Sequence, residues 1–84
     1  STTTRKLQLR QKLSNIRQRD MSVVDYTSRI KEIYDSLASI NVTVSENEMV
    51  QACLGGLAQK FESFQMTVCM RESTLSFFEL QSML

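Results

Sequence analysis

The chain of 84 residues contains no histidine and no proline. Histidine is the side chain that most often acts as a proton acceptor near neutral pH, so the usual partner of a nucleophilic serine or cysteine is missing. The carboxylates are scattered along the sequence as helix-capping and helix-surface residues, which leaves no pair for acid–base catalysis. We therefore predict that the chain is not an enzyme and that it binds no cofactor.

Glycine and cysteine are also scarce, with two of each. Gly55 and Gly56 are adjacent but lack the lysine and the serine or threonine of a phosphate-binding loop. Cys53 and Cys69 fall among apolar residues, so we expect two buried, reduced thiols in a reducing compartment. A disulfide is the weaker alternative, and a metal site is weaker still because two distant thiols lack a ligand spacing.

No apolar run approaches the ~18 residues that a membrane span requires, and no signal-peptide core is present. We therefore expect no membrane contact and a cytoplasmic location. The apolar content of 42% and the charged content of 23% are ordinary for a globular domain. The length allows one domain over residues 1–84, and we expect it to be a fragment of a longer polyprotein because the last helical pattern reaches the final residue.

The net charge of +1 conceals an asymmetry along the chain. Residues 1–19 contain six basic residues and no acid, whereas the remainder contains four basic and nine acidic residues. A solvated helix surface explains such a pattern, and a weak contact with RNA is the functional alternative. The candidate RNA contacts are Arg5, Lys6, Arg10, Lys12, Arg17 and Arg19.

Helical spacing of apolar residues occurs in every segment and strand-type alternation in none, which predicts an all-α fold. The longest pattern places Tyr26, Ile30 and Leu37 on one face, after a start at Ser22 and Asp25 that resembles a capping box. We predict a compact bundle of about five short helices. These helices are expected to cover residues 4–16, 23–40, 46–54, 58–70 and 76–84.

Capping residues predict where these helices begin and end. Thr2–Thr4 are candidate N-caps of the first helix, and Ser45 and Ser76 each precede an acidic residue by three positions. Asn41 suits the end of the long helix. Gly55 and Gly56 are expected to stop the third helix, because glycine adopts the left-handed cap conformation at little cost.

Four further side chains have predicted environments. Tyr26 is expected in the core with its hydroxyl at the boundary, and Tyr34 is expected to be half exposed. Met66 and Met70 are expected near the buried face of the fourth helix, where methionine fills irregular gaps. A polar turn is predicted to follow at residues 71–73.

The order of these motifs resembles the capsid region of the Gag polyprotein of copia-type LTR retrotransposons. Family members typically have a leucine pair, a polar turn, Ser-Val-x-(Asp/Glu)-Tyr and a helix ending in Leu-Ala-x-Ile. Here these motifs fall at Leu9–Leu13, Ser22–Tyr26 and Leu37–Ile40. A glycine-containing leucine motif, an aromatic pair and a final helix follow at Leu54–Leu57, Phe61–Phe64 and Leu75–Leu80. The resemblance covers nearly the whole chain.

The residues after the first helix are also similar, more distantly, to the major homology region of retroviral capsid C-terminal domains. That region begins with Gln-Gly, continues through Glu and ends with Tyr-x-x-Arg, and the matching residues here are Gln18, Tyr26 and Arg29. Arg19 stands at the glycine position, and Ser22 is nearest to the glutamate position. The similarity implies a fold-stabilising role, in which polar side chains hold the turn against the long helix, for Gln18, Ser22, Asp25, Tyr26 and Arg29.

The resemblance implies a structural protein that self-associates into virus-like particles around RNA. The helix equivalent to residues 46–54 commonly forms a dimer contact in capsid domains, so Met49 and Val50 are candidates for a symmetric interface. The alternative is that both belong to the intramolecular core. Leu7, beside the apolar stripe of the first helix, is a further candidate for self-association. The implied partners are other copies, other Gag domains, and RNA bound through regions outside this chain.

Two alternatives remain open. A capsid-like domain adopted by a host genome would act as an interaction module that binds a host protein in a hydrophobic groove. A nucleic-acid-binding domain of the helix-turn-helix type is less favoured, because acidic residues that repel phosphates flank the glycine turn. These acids are Glu46, Glu48 and Glu62.

Overall fold

The computed structural model describes residues 2–70 and 75–84, and this part of the chain contains helices joined by short loops and no strands. The prediction of an all-α fold is therefore confirmed. Its α-helices, numbered α1 to α5, are Thr2–Asn15, Val23–Ser39, Glu46–Gly56, Glu62–Cys69 and Phe77–Met83. A short 3-10 helix, Gln59–Phe61, precedes α4. The polar turn expected at 71–73 lies outside the described residues.

The longest helix, α2, has well-defined caps at both ends. The Oγ of Ser22 accepts a hydrogen bond from the N–H of Asp25 at 3.1 Å, and Asp25 adds negative charge to the first turn. At the other end Asn41 is left-handed, with φ of 63°. The N–H of Val42 then donates to the carbonyl of Leu37 at 3.0 Å, as in a Schellman motif. The predicted use of Ser22 and Asn41 is confirmed.

Two helix starts differ from the prediction. Thr2–Thr4 lie inside α1 instead of capping it, because the helix begins at Thr2. The helix expected over residues 58–70 is divided, since the 3-10 helix Gln59–Phe61 comes first and α4 begins only at Glu62. Phe61 separates the two with a non-helical ψ of 13°.

The third helix also ends differently from the prediction. Both glycines belong to α3, and neither has a positive φ. The chain leaves the helix at Leu57, which is extended with φ of −62° and ψ of 147°. Gly55 and Gly56 therefore do not terminate α3 through a left-handed cap, and the position of Gly56 has a different cause, described below.

The core is built from one face of each of α1, α2, α3 and α5. Its apolar side chains interlock across these four helices, and each large aliphatic side chain removed from water contributes about 1.5–3 kcal/mol. The most deeply buried members include Ile30, Leu37, Leu54 and Leu80. The packing of α3 against α1, α2 and α5 places it at the centre of the domain.

The fourth helix lies at the edge of this core. Val68 is its one buried residue, and Phe64 packs partly against the core. Met66 is two positions from each of them, which places it on the opposite side of a helix. Met66 and Met70 are 59% and 82% exposed, so the prediction that they fill gaps in the core is wrong.

The start of α5 is capped from within and from another helix. Ser76 and Glu79 form a reciprocal capping box, as the sequence predicts. In addition, the N–H of Phe77 donates to the Oε1 of Glu46 at 2.7 Å. This bond satisfies a first-turn amide and places a carboxylate at the positive end of α5, so it fixes α5 to α3.

We expect Glu46→Ala to lower the free energy of unfolding by about 1–2 kcal/mol, because the first-turn amide of α5 loses a charged acceptor. Asn47→Ala, at the adjacent exposed position, serves as the control. Thermal unfolding followed by circular dichroism measures both variants, and a loss of about 1 kcal/mol shifts the Tm of so small a domain by about 4–8 °C. Equal midpoints for the two variants would contradict the role of Glu46.

Candidate functional site

The turn between α1 and α2 is anchored by Gln18, whose side chain is only 1% exposed. Its Nε2 donates across the turn to the carbonyl of Met21 at 3.0 Å, and its Oε1 accepts from the N–H of Ala58 at 2.9 Å. The backbone N–H of Gln18 donates to the carbonyl of Gly56 at 2.7 Å. Both ends of the buried amide are satisfied, so the turn is attached to the end of α3.

Gly56 is needed because a tyrosine side chain and another part of the backbone approach it closely. A Cβ atom at this position would overlap the hydroxyl of Tyr26 and the carbonyl oxygen of Ile16. A Cβ atom at Gly55 would have no other atom within 4 Å. The absent side chain of Gly56 therefore lets α2 and the α1–α2 turn reach the backbone of α3.

Tyr26 lies deeper than the sequence predicts. Its side chain is fully buried, and its hydroxyl donates to the carbonyl of Cys53 at 2.7 Å instead of lying at the boundary. Burial raises the pKa of the Tyr26 hydroxyl well above its ordinary value. Burial also raises the pKa of the Cys53 thiol from 9.0 to about 12. Both groups are therefore held in their protonated forms inside the core.

The two cysteines have different environments. Both are free, but Cys53 is buried and Cys69 is exposed. The expectation of two buried thiols is therefore wrong for Cys69. The reason is its position next to Val68, because adjacent residues of a helix point in directions about 100° apart and only the side of Val68 meets the core.

Arg29 does not hold the turn, contrary to the expectation from the capsid homology region. Its side chain is exposed and lines an open cleft beside the turn. The Gln18 side chain bonds to Met21 and Ala58 instead. Ser22 and Asp25 act locally as the start of α2. The long-range polar contacts of this region are therefore made by Gln18 and Tyr26.

The residues predicted for self-association differ in exposure, since two are buried and one lies on the surface. Met49 and Val50 are 6% and 3% exposed and belong to the core, which favours the intramolecular alternative over a symmetric contact through them. The physical reason is the central position of α3, whose apolar face is covered by α1, α2 and α5. Leu7 is 63% exposed on α1 and remains on the surface.

Other large apolar side chains are exposed on the last two helices. Met66 on α4 and Met70, the residue that follows its last turn, lie one turn apart on the same side, and Phe78 is 77% exposed in the first turn of α5. We call these three residues the apolar surface. Sequence reasoning missed Phe78, although adjacent phenylalanines at a helix start cannot both face one core and Phe77 is the buried one.

The basic residues of the first nineteen positions divide into separate groups. Arg10 is half-buried, and its Nη1 lies 3.6 Å from the Oε2 of Glu48 in a partly exposed ion pair of small energy. Arg5 and Lys6 are exposed on the first half of α1. The remaining three join Arg29 around an open cleft of about 430 Å³, called the basic cleft, whose charged residues are Lys12, Arg17, Arg19 and Arg29.

The described residues contain no group of three or more His, Cys, Asp or Glu side chains that is arranged to hold a metal ion. In the same part of the chain, no helix has the length and apolar character needed to cross a membrane. Comparison with known proteins finds no matching family model, curated protein or solved structure. The features with functional potential are the apolar surface and the basic cleft.

The two glycines should respond in opposite directions to the same substitution. We expect Gly56→Ala to lose at least about 3 kcal/mol of stability, because the new methyl group forces Tyr26 or the Ile16 backbone out of place. Gly55→Ala should gain about 0.5–1 kcal/mol, because alanine restricts the unfolded chain and meets open space in a helix. Urea unfolding followed by circular dichroism checks both. A shift in the same direction for both variants would contradict the close approach at Gly56.

Stability should fall with increasing pH above about pH 9. The folded-state pKa of Cys53 is raised, so its stabilisation is complete below the unfolded-state pKa and is lost as pH rises towards about 12. Each such group lowers the free energy of unfolding by about 1.4 kcal/mol per pH unit above its unfolded-state pKa. Tyr26 begins to contribute in the same way at about pH 10. Urea unfolding across this pH range should show that the free energy of unfolding of Cys53→Ala falls less steeply with pH than that of the wild type. The control Cys69→Ala should keep the wild-type slope, and an unchanged slope in Cys53→Ala would refute the linkage.

Proposed function

We propose that this chain is a capsid-like Gag domain that self-associates through the apolar surface and so contributes to a protein shell. The order of motifs from Leu9 to Leu80 supports this family assignment, because it combines the leucine pair, the capped long helix and the glycine-containing leucine motif. The attachment of the Gln18 turn to the end of α3 agrees with the fold-stabilising role that the capsid homology region implies.

The observation that carries the proposal is the exposure of Met66, Met70 and Phe78 on helices whose other faces pack inward. Met66 and Met70, one helical turn apart, form an exposed apolar pair, and Phe78 is a separate exposed aromatic side chain on α5. Exposed apolar patches mark interaction sites. A second copy of the chain is the proposed occupant, because a two-fold contact buries each residue twice. Six such side chains would contribute up to about 9–18 kcal/mol before the association cost of about 4–15 kcal/mol. The expected contact is therefore weak to moderate alone and stronger in a multivalent shell.

Internal contacts fix the α5 part of this surface, which carries Phe78. Glu46 joins the start of α5 to α3, and Gln18 joins the α1–α2 turn to the end of α3. Phe78 therefore projects from a helix that is fixed to the centre of the domain. A surface that is already ordered before binding loses less conformational entropy when it associates.

Substitutions on the apolar surface should abolish self-association without unfolding the chain, because the changed side chains are exposed. We expect the wild-type mass in size-exclusion chromatography with light scattering to rise with concentration towards a dimer or a larger species. Met70→Asp and Phe78→Asp should remain monomeric, because each introduces a charge that the contact would have to desolvate. Val24→Asp, at a position on α2 that is 72% exposed, is the matched control and should behave as wild type.

Circular dichroism should confirm that all three variants are folded. A wild-type protein that stays monomeric at the highest concentration would refute self-association of this domain. Dissociation by Leu7→Asp with no effect of Phe78→Asp would instead place the contact on α1.

A further inference from the structure

We propose that the basic cleft binds the phosphate backbone of a single-stranded nucleic acid without reading its sequence. The binding chemistry itself depends only on the cleft. It therefore gives this domain a role that is separate from the apolar surface.

The charge of the cleft comes from three different segments. Lys12 lies near the end of α1, Arg17 and Arg19 lie in the following turn, and Arg29 lies on α2. No acidic residue lines the cleft. Convergent cations with no acid among them produce a local positive potential, which raises the concentration of anionic ligands.

Asp20 follows Arg19 in the turn and is exposed, so it offsets part of the local positive charge although it does not line the cleft. Two further acidic residues face a neighbouring depression. Asp25 and Glu32 line it together with Arg29, and they offset part of the charge of that arginine. The cations from α1 and the turn therefore dominate the basic cleft. The other basic residues of α1 are placed differently, since Arg10 pairs with Glu48 and Lys6 lies outside the cleft.

Arg19 has a backbone conformation that favours glycine. Its φ is 51°, in the left-handed region, where a side chain with a Cβ is uncommon. The conformation is held by the turn, because the N–H of Met21 donates to the carbonyl of Gln18 at 2.9 Å and Gln18 is anchored to Ala58. The fold thus keeps an arginine where glycine would be more stable. Such strained positions occur most often at functional sites.

Arg17 is also fixed before any ligand binds. Its Nη1 donates to the carbonyl of Ile16 at 2.8 Å, which restrains the guanidinium at the wall of the cleft. A guanidinium has five N–H donors in a planar arrangement, so the remaining donors can still bind phosphate oxygens. Arg17 and Arg19 therefore present two cations at the cleft, one with a restrained guanidinium and the other with a restrained backbone.

The uncharged residues of the cleft indicate which part of a nucleic acid it contacts. Ile16, Met21 and Ile33 supply apolar surface, and none of the lining residues is aromatic. Recognition of single-stranded bases usually depends on stacking with aromatic side chains. A cleft with cations and no aromatic ring is suited to phosphates and sugars, so its binding should be insensitive to sequence and sensitive to salt.

The proposal is tested by fluorescence anisotropy with a labelled oligouridylate at low salt. Removing one phosphate contact should weaken binding about five- to tenfold near 50 mM salt and reduce the slope of log K against log salt by about 0.7. Arg17→Gln and Arg19→Gly should each show this loss. Lys6→Gln removes the same charge from α1 outside the cleft and should change the affinity less than about twofold.

Arg19→Gly also distinguishes a loss of binding from a loss of folding. Because glycine tolerates the left-handed conformation, this variant should raise the Tm by a few degrees while it weakens RNA binding. A loss of affinity in a more stable protein cannot come from misfolding. Arg19→Lys retains the charge and should recover most of the affinity.

The same assay in the Phe78→Asp background should give the wild-type affinity, which separates RNA binding from self-association. Equal affinity for oligothymidylate would support recognition of the phosphate backbone. Four outcomes would overturn the proposal: no binding at low salt, equal losses in Lys6→Gln and Arg19→Gly, full affinity in Arg19→Gly, or binding to phosphatidylserine vesicles without binding to RNA.

Discussion

The arrangement of α1, α2 and α3 depends on one buried amide. Gln18 donates to the carbonyl of Met21 and accepts from the N–H of Ala58, so it joins the turn to the chain beyond α3. A buried polar group without a partner costs about 1–3 kcal/mol, so the amide is stabilising only while both contacts persist. Gly56 makes this possible, because any larger residue would separate α3 from Tyr26 and Ile16.

Interactions within a few residues could be predicted from the sequence, whereas those between distant residues could not. Ser22 caps α2 through an amide three positions away, and this short reach makes the motif visible in the sequence. Glu46 caps a helix 31 positions later, and Gln18 meets Ala58 across 40 positions. A carboxylate or an amide at such a position has no local signature. The resemblance to capsid proteins identified Gln18, but only the fold shows its partners.

Apolar periodicity predicts which residues share a helix face, but the contacts of the whole fold decide which face is buried. The spacing of Tyr26, Ile30 and Leu37 was sufficient for α2, where one continuous stripe covers four turns. On α4 the apolar residues surround the helix, so the pattern alone could not distinguish Val68 from Met66. The prediction failed where a short helix at the edge of the domain has too few contacts to bury more than one side.

The two candidate surfaces are supported by different contacts, and this separation has a functional consequence. The apolar surface lies on α4 and α5, and Glu46 fixes α5 to α3. The basic cleft lies on α1, the turn and α2, and Gln18 fixes the turn to the end of α3. A surface substitution can therefore change one activity alone, because exposed residues without shared partners act nearly additively. The common element is α3, so a change that displaces α3 should affect the proposed self-association and the proposed nucleic-acid binding together, although α3 itself contributes to neither surface.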